Sequence, residues 1–232
     1  MKNYFSLFLV FSLFFSTPNV TLAQKWDSKG DYSEGLAMVR NQDGKWGFVD
    51  ETEKVVIPCK WRMVHSFHEG MACVTDSAWK YGFIDKTGNL VIPCKWRNAW
   101  DFSEGLARVQ NDKEKWGFID KEGKEIIPCQ WISVFGFTEG LAAVRNGRAG
   151  WGFIDKTGNL VIPYKWSKVE PFSEGMANVK NEEWKSGYID KSGNLVIPCI
   201  WKGAWAFSDG LAIVMDEEGN EHVIDKTGKI VE

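Results

Sequence analysis

Carboxylates recur along this sequence at a fixed spacing, and carboxylates are the side chains that bind Ca²⁺ or hydrolyse glycosides. One set is Asp50, Asp85, Asp120, Asp155, Asp190 and Asp225. A second set, each member before a glycine, is Glu34, Glu69, Glu104, Glu139, Glu174 and Asp209. A Ca²⁺ site needs about six converging oxygens, and a catalytic pair should be unique in a chain. We therefore interpret the first set as turn caps and expect no hydrolysis from the second.

The histidines also give little indication of a metal or catalytic site. His65 and His68 are three residues apart in a predicted loop, and neither shares a ligand spacing with cysteine. Glu221 and His222 stand where other copies have Trp-Gly, which makes a glycan hydrolase the alternative function. We interpret them as a polar cap. No glycine-rich phosphate loop is present, so we expect no catalytic residue, no metal site and no cofactor.

The elements that position these residues are six copies of one unit. Gly-(Leu/Met)-Ala recurs every 35 residues, at Gly35, Gly70, Gly105, Gly140, Gly175 and Gly210. In the third copy we predict three strands, at 106–110, 116–120 and 125–127. The sequence at 85–88, Asp-Lys-Thr-Gly, predicts a tight hairpin turn. Pro58 and its equivalents should end the third strand, and the segment after it, such as 94–104, should be a loop. No helical period occurs.

Two copies have a displaced tryptophan. Trp79 and Trp184 stand two residues before Tyr81 and Ser186, which occupy the place of Trp116. Residues two apart on a strand point to the same face. We therefore place Trp79 and Trp184 on the same strand face as the aromatic that they replace.

The repeated motif is similar to a known one. The runs beginning Trp46-Gly-Phe-Val-Asp, Trp116-Gly-Phe-Ile-Asp and Trp151-Gly-Phe-Ile-Asp resemble the WG (also called KWG) repeat of bacterial proteins, over essentially all of the chain after residue 23. The resemblance implies β-rich tandem repeats, often behind a signal peptide, without a general enzymatic activity. It says little about a ligand. The sixth copy departs from the pattern with Glu221-His222-Val223.

Six β-units can stack as an open solenoid or close into a propeller-like ring. An integral number of copies favours closure. The polar substitutions in the last copy resemble the cap that an open stack requires. We favour an all-β open solenoid of six three-stranded repeats, with the closed six-bladed ring as the alternative.

The first 23 residues have the composition of a secretory signal peptide. Lys2 precedes an apolar stretch over 4–15, and Thr21-Leu22-Ala23 places small residues at the positions that a signal peptidase reads. We predict cleavage after Ala23 and a repeat array over 24–232 that is secreted or periplasmic. The apolar stretch is too short to span a bilayer. With 28 basic and 31 acidic side chains, the net charge of −3 gives no basic field for nucleic acid or a membrane surface.

Four of the five cysteines share one repeat position: Cys59, Cys94, Cys129 and Cys199. Tyr164 fills that position in the fourth copy. A position that accepts cysteine or tyrosine is typical of a packing slot, and three-stranded units should hold these residues further apart than a disulfide spans. We predict mostly free, buried thiols.

Two aromatic columns differ in constancy. A tryptophan ladder is present in every copy, at Trp26, Trp61, Trp96, Trp131, Trp166 and Trp201, and we interpret it as structural. Four residues further on, the residue varies: Gly30, His65, Trp100, Phe135, Glu170 and Trp205. We call this second set the variable column. Variable aromatics beside Arg62 and Arg97 are typical of a binding surface, and the alternative is that they fill gaps over the core.

These observations favour a non-catalytic exported protein that binds and scaffolds a partner. The candidate binding residues are His65, Trp100, Phe135, Trp205, Arg62 and Arg97. The expected partner is another exported protein or an envelope polysaccharide, because repetition offers many similar contacts to an extended ligand. A purely structural spacer is a further alternative.

Overall fold

The computed structural model describes residues 26–231, which fold into six antiparallel β-sheets that follow one another along the chain. The prediction of an all-β array of six repeats is confirmed. The predicted signal peptide, its cleavage site and residue 232 lie outside the described residues. Across 26–231, no helix has the length and apolar character needed to cross a membrane.

The first three sheets each contain four strands in sequence order. The first sheet comprises β1 (Ser28–Ser33), β2 (Leu36–Arg40), β3 (Trp46–Asp50) and β4 (Val55–Trp61). The second comprises β5 (Met63–Val64), β6 (Met71–Thr75), β7 (Tyr81–Asp85) and β8 (Leu90–Trp96). The third comprises β9 (Asn98–Ser103), β10 (Leu106–Gln110), β11 (Trp116–Ile119) and β12 (Glu125–Trp131).

The last three sheets repeat this order, and the sixth has three strands. The fourth sheet comprises β13 (Ser133–Val134), β14 (Ala142–Arg145), β15 (Trp151–Ile154) and β16 (Leu160–Trp166), with a 3₁₀ turn at Gly147–Ala149. The fifth comprises β17 (Lys168–Val169), β18 (Met176–Lys180), β19 (Ser186–Asp190) and β20 (Leu195–Trp201). The sixth comprises β21 (Gly203–Ala204), β22 (Leu211–Met215) and β23 (Glu221–Asp225).

A fourth strand joins the three that the sequence predicted. In the third sheet it is β9, which pairs with β10 through Ala99 opposite Val109. The expectation of a loop over 94–104 is therefore wrong. The sequence hides this strand because it is only two residues long in four of the other sheets, too short to show an alternating pattern.

The proline position that recurs in the repeats lies inside a strand. β12 continues through Pro128 to Trp131, so the expectation that proline ends the third predicted strand is wrong. The register between Phe118–Ile127 and Trp116–Trp131 shifts, which is a bulge opposite Gly117. β12 is also the outer edge of its sheet. An edge strand with a bulge tolerates proline because no neighbouring strand needs its missing N–H.

This bulge explains the glycine of the Trp-Gly-Phe motif. A Cβ built on Gly117 would lie 2.5 Å from the carbonyl oxygen of Ile127, so any side chain would collide with β12. In the sixth repeat His222 occupies the same place. The sixth sheet lacks a fourth strand within residues 26–231, so none of these residues crosses His222 as β12 crosses Gly117.

Successive sheets pack face to face through apolar clusters. Phe118 and Trp131 of the third sheet form one buried cluster with Phe137 and Val144 of the fourth. The rings of Phe118 and Phe137 are 4.8 Å apart, and similar pairs occur at the other four interfaces. Trp61, Trp96, Trp131 and Trp166 are all buried in these clusters. The interpretation of the tryptophan ladder as structural is confirmed.

The cysteine position is a packing slot against this ladder. Cys94 packs on the cluster that contains Trp61, and Tyr164 takes the same place beside Trp131, whose Nε1 donates to its hydroxyl at 2.9 Å. All five thiols are free, as predicted. The prediction that the thiols are buried is correct for Cys73 and wrong for the other four, which are half-buried. Burial, together with Glu125, raises the pKa of Cys129 to about 12.

Both carboxylate sets have structural roles. Asp85 Oδ1 accepts the backbone N–H of Thr87 at 2.9 Å and of Asn89 at 3.0 Å, which confirms the interpretation as turn caps. The second set links neighbouring sheets, which the sequence did not suggest. Glu104 accepts the N–H of Gly140 at 3.0 Å and pairs with Lys156 Nζ at 3.1 Å, both from the next repeat. Equivalent glutamate–lysine links begin at Glu34, Glu69, Glu139 and Glu174.

The array is open, as predicted. No hydrogen bond, ion pair or buried cluster of residues 26–231 joins the sixth sheet to the first. The sequence at the two ends agrees with this. Glu51 replaces the linking lysine in the first repeat, and Asp209 replaces the linking glutamate in the sixth. A closed ring would bring these two acidic positions together.

Candidate binding surface

The variable column lies on or directly after the first strand of each sheet. Trp100 lies in β9, and His65, Phe135 and Trp205 follow β5, β13 and β21. Their backbone N–H groups donate to the second strand, for example Phe135 to Ala143 at 2.9 Å and Trp205 to Ile213 at 3.0 Å. The main chain thus fixes this position in the sheet, and the side chain is free to vary between repeats.

Exposure divides the column into two kinds of residue. The side chains of Trp100 and Trp205 are 45% and 48% exposed, so each presents an indole to solvent. Phe135 is half-buried, and its ring lies 5.3 Å from that of Trp151. Phe135 therefore fills a gap over the core, whereas the two tryptophans are available for contact.

Charged residues surround Trp100 at the boundary between the second and third sheets. The guanidinium of Arg108 lies 4.6 Å from the Trp100 ring centroid and donates to the carbonyl of Val134 at 2.9 Å. Burial lowers the pKa of Arg108, and Asp101 opposes that shift. His65 Nδ1 lies 2.8 Å from Asp101 Oδ1 and its ring is 5.8 Å from Trp100. These groups hold the indole in one orientation.

Arg62 and Arg97 contact other partners. The Arg62 guanidinium lies 3.7 Å above the ring of Trp79, and Arg97 pairs with Glu114 at 2.8 Å. No hydrogen bond, ion pair or ring contact within the described part of the chain joins either arginine to the variable column. Trp79 and Trp184 are not on strands, so that prediction is wrong. Both lie in turns, at φ of 61° and 62°, and are exposed.

Arg108 is the binding-surface residue that sequence reasoning missed. It belongs to a repeat position occupied otherwise by Met38, Cys73, Ala143, Asn178 and Ile213. The signal that could have identified Arg108 was a single cation at a repeat position that is otherwise mostly apolar. The contact of Asp101 with His65 of the preceding repeat could not be found from the sequence, because it depends on the register of the sheets.

Trp205 borders a concavity at the open end of the array. Its other walls include Leu211, Ile213 and Val223, and it encloses about 460 Å³. Leu211 is 41% exposed, although its equivalents in the other five repeats are buried. The face that elsewhere receives the next sheet is therefore uncovered here.

The polar residues of the sixth repeat have separate surroundings, and Glu221 borders the concavity beside Trp205. His222 Nε2 lies 2.8 Å from Asp216 Oδ2 in the same hairpin, and this contact holds the pKa of Asp216 well below its usual range. Glu221 is exposed and accepts no hydrogen bond among residues 26–231. Within the same range, no group of three or more His, Cys, Asp or Glu side chains is placed to hold a metal ion.

The sequence comparison identifies the family. The family model described as WG containing repeat matches residues 23–46, 46–76, 81–114, 116–148, 151–183 and 187–219. The chain therefore belongs to the WG-containing repeat family. Each matched segment after the first begins in the third strand of one sheet and ends just after the second strand of the next sheet. No curated protein matches it.

Solved structures share the fold at low sequence identity. The computationally designed Ika8 protein is 10% identical with a TM-score of 0.53, covering 87% of this chain and 72% of Ika8. BamB from Moraxella catarrhalis is 10% identical with a TM-score of 0.50, covering 88% and 75%. Hsv2 from Kluyveromyces lactis is 10% identical with a TM-score of 0.52, covering 85% and 73%. At this identity the likeness concerns the arrangement of the sheets alone.

Proposed function

We propose that this protein is an exported, non-catalytic scaffold that binds a partner through its exposed tryptophans. The observation that carries the proposal is that Trp100 and Trp205 are about half exposed at one repeat position, which a backbone hydrogen bond to the second strand fixes in four of the repeats. Folding requires no large side chain there, since Gly30 and Glu170 occupy the same position. Exposed aromatics beside charged groups are the usual anchors of binding sites.

The partner is an exported protein or an envelope glycan. Export is inferred from the composition of residues 1–23. An array of similar sheets suits an extended partner, because several weak contacts act together when they are held on one frame. Trp100 lies beside Arg108 and Asp101, whereas Trp205 borders an apolar concavity, so the two anchors offer different chemistry to one partner.

The test is capture followed by a direct binding measurement. Residues 24–232 are immobilised, envelope extract is passed over them, and any retained protein or glycan is purified and titrated against the parent. The variant Trp100→Ala/Trp205→Ala should weaken binding by at least about tenfold, because anchors of this kind each contribute about 2 kcal/mol or more.

Phe135→Ala serves as the matched control, since this aromatic is packed against Trp151. It should lower stability and leave the affinity of the folded protein unchanged. Equal affinity of the double tryptophan variant and the parent contradicts the proposal. Capture of nothing by the parent favours the structural spacer.

A further inference from the structure

A second concavity lies between the turns of the fourth and fifth sheets, away from the variable column. It encloses about 460 Å³, within the range of small-molecule sites. Tyr164, Trp166 and Trp184 line it. Aromatic side chains thus border an open groove between two repeats.

The groove is cationic in a chain of net negative charge. Arg145, Arg148 and Lys165 line it, against one acidic residue, Glu182. Neither arginine makes an ion pair among residues 26–231, and both are exposed. By contrast, Arg97 pairs with Glu114 at 2.8 Å.

The indole of Trp184 is 61% exposed against 51% for its equivalent Trp79, and among residues 26–231 it lacks the stacked cation that Trp79 has. Both tryptophans adopt the same turn conformation. Arg62 stacks on Trp79 at 3.7 Å, but the residue in the place of Arg62 in the fifth repeat is Ser167. Ser167 lines the groove, and Trp184 is 61% exposed.

The charge also differs from that at the equivalent place between the first and second sheets. In the place of Arg148 the first repeat has Asp43, and Arg40, in the place of Arg145, lies 3.8 Å from Asp27. The groove between the fourth and fifth sheets therefore differs from the equivalent place between the first and second sheets in two ways. It has a free aromatic face, and it has two uncommitted guanidinium groups.

We propose that this groove binds an acidic saccharide. A sugar ring stacks on the open face of Trp184, and its carboxylate groups accept hydrogen bonds from Arg145 and Arg148. Guanidinium is the side chain that matches a carboxylate in bidentate geometry. A nucleic acid is disfavoured because the chain as a whole repels polyanions of high charge density. A poly-glutamate peptide has the carboxylates but no ring to lie on the exposed indole.

The experiment is a calorimetric titration of the purified protein with a short oligogalacturonate at low ionic strength. A neutral gluco-oligosaccharide of the same length and a poly-glutamate peptide of the same charge are titrated in parallel. The oligogalacturonate should bind at least about tenfold more tightly than either. Equal binding of the peptide means that charge alone is recognised, and equal binding of the neutral sugar means that the arginines are not used. Each of these results overturns the proposal, as does the absence of binding.

Two variants test the two halves of the site. Arg145→Gln/Arg148→Gln should abolish the preference for the acidic sugar. Ser167→Arg should also weaken binding by about tenfold, because the new guanidinium covers Trp184 as Arg62 covers Trp79. This variant adds positive charge, so tighter binding would show a general electrostatic attraction and overturn the proposal. Arg62→Ser is the control and should leave the affinity unchanged. Because Trp100 and Trp205 are intact in all these variants, the outcome is independent of the proposed function.

Discussion

The interface between the third and fourth sheets and the open face of the sixth sheet present the same repeat positions to different surroundings. Leu106 and Phe118 are buried at the interface, whereas Leu211 is exposed and Val223 is half-buried at the open face. The interface is linked by Glu104 and Lys156, and the open face ends on Asp209. The comparison shows that the repeat is adapted to its place in the array.

The adaptation concerns charge and volume more than polarity. The open face keeps Leu211 and Ile213, but the large aromatic at the Phe118 position becomes valine. The acidic residues Glu51 and Asp209 at the two ends would repel each other in a ring or in a head-to-tail stack of copies. The ends therefore oppose self-association while an apolar surface remains available.

The largest effect should come from the buried aromatic. Phe118→Ala should lower the free energy of unfolding by about 3–5 kcal/mol, because it leaves a cavity beside Phe137. Val223→Ala at the equivalent place should cost less than about 1 kcal/mol, because the half-buried valine side chain loses few packing contacts. Denaturant titration followed by tryptophan fluorescence measures both. Equal losses would mean that the open face is packed in solution.

The glycine of the motif gives the next effect. Gly117→Ala should destabilise the chain by about 1–3 kcal/mol, because the new Cβ meets the carbonyl of Ile127. His222→Ala at the equivalent position removes a half-buried pair with Asp216 but introduces no clash, and it should cost less than Gly117→Ala. Thermal unfolding of the two variants compares them. A harmless Gly117→Ala would show that β12 does not approach β11 as closely as the structure has it.

The link between sheets gives a smaller effect. Glu104→Gln should cost about 1 kcal/mol, because the amide keeps an acceptor for Gly140 but loses the ion pair with Lys156. Asp209→Asn should leave stability unchanged, since the Asp209 side chain makes no hydrogen bond or ion pair among residues 26–231. Denaturant midpoints distinguish the two. Matching losses would place a further partner at Asp209.

The sequence predicted the repeat and three of its strands because these depend on local patterns that recur six times. It predicted the open ends because the last copy departs from the pattern. The recurring Gly-(Leu/Met)-Ala and Trp-Gly-Phe runs marked the strands, and the Asp-Lys-Thr-Gly runs marked the turns. The fourth strand was missed because Met63–Val64 is too short to show a period. The roles of Glu104 and Arg108 were missed because their partners lie in the next repeat, at separations that only the packing of the sheets defines. The placement of Trp79 failed because an α-left turn, rare for tryptophan, precedes the strand.

The smallest expected effect is a shift in pH dependence at the last link. The N–H of Gly210 donates to Glu174 at 2.9 Å, and with Lys226 it lowers the pKa of Glu174 below its ordinary value of 4.5. A carboxylate with a lowered folded-state pKa stabilises the fold above its ordinary pKa, and that stability is lost as pH falls through the folded pKa. The attachment of the sixth sheet should therefore weaken in acid below about pH 4.5.

Lys226→Met should move this loss to higher pH, because the ammonium that favours the ionised carboxylate is removed. An NMR titration of the Glu174 carboxyl carbon reports its pKa in both proteins, and the amide of Gly210 reports the hydrogen bond. Lys113→Met, an exposed lysine without an ion pair among residues 26–231, controls for the change in net charge. If the control shifts the Glu174 titration as much as Lys226→Met does, the effect arises from the overall field. The link then contributes no specific stabilisation, and the sixth sheet is held by its apolar cluster with Met176 and Tyr188.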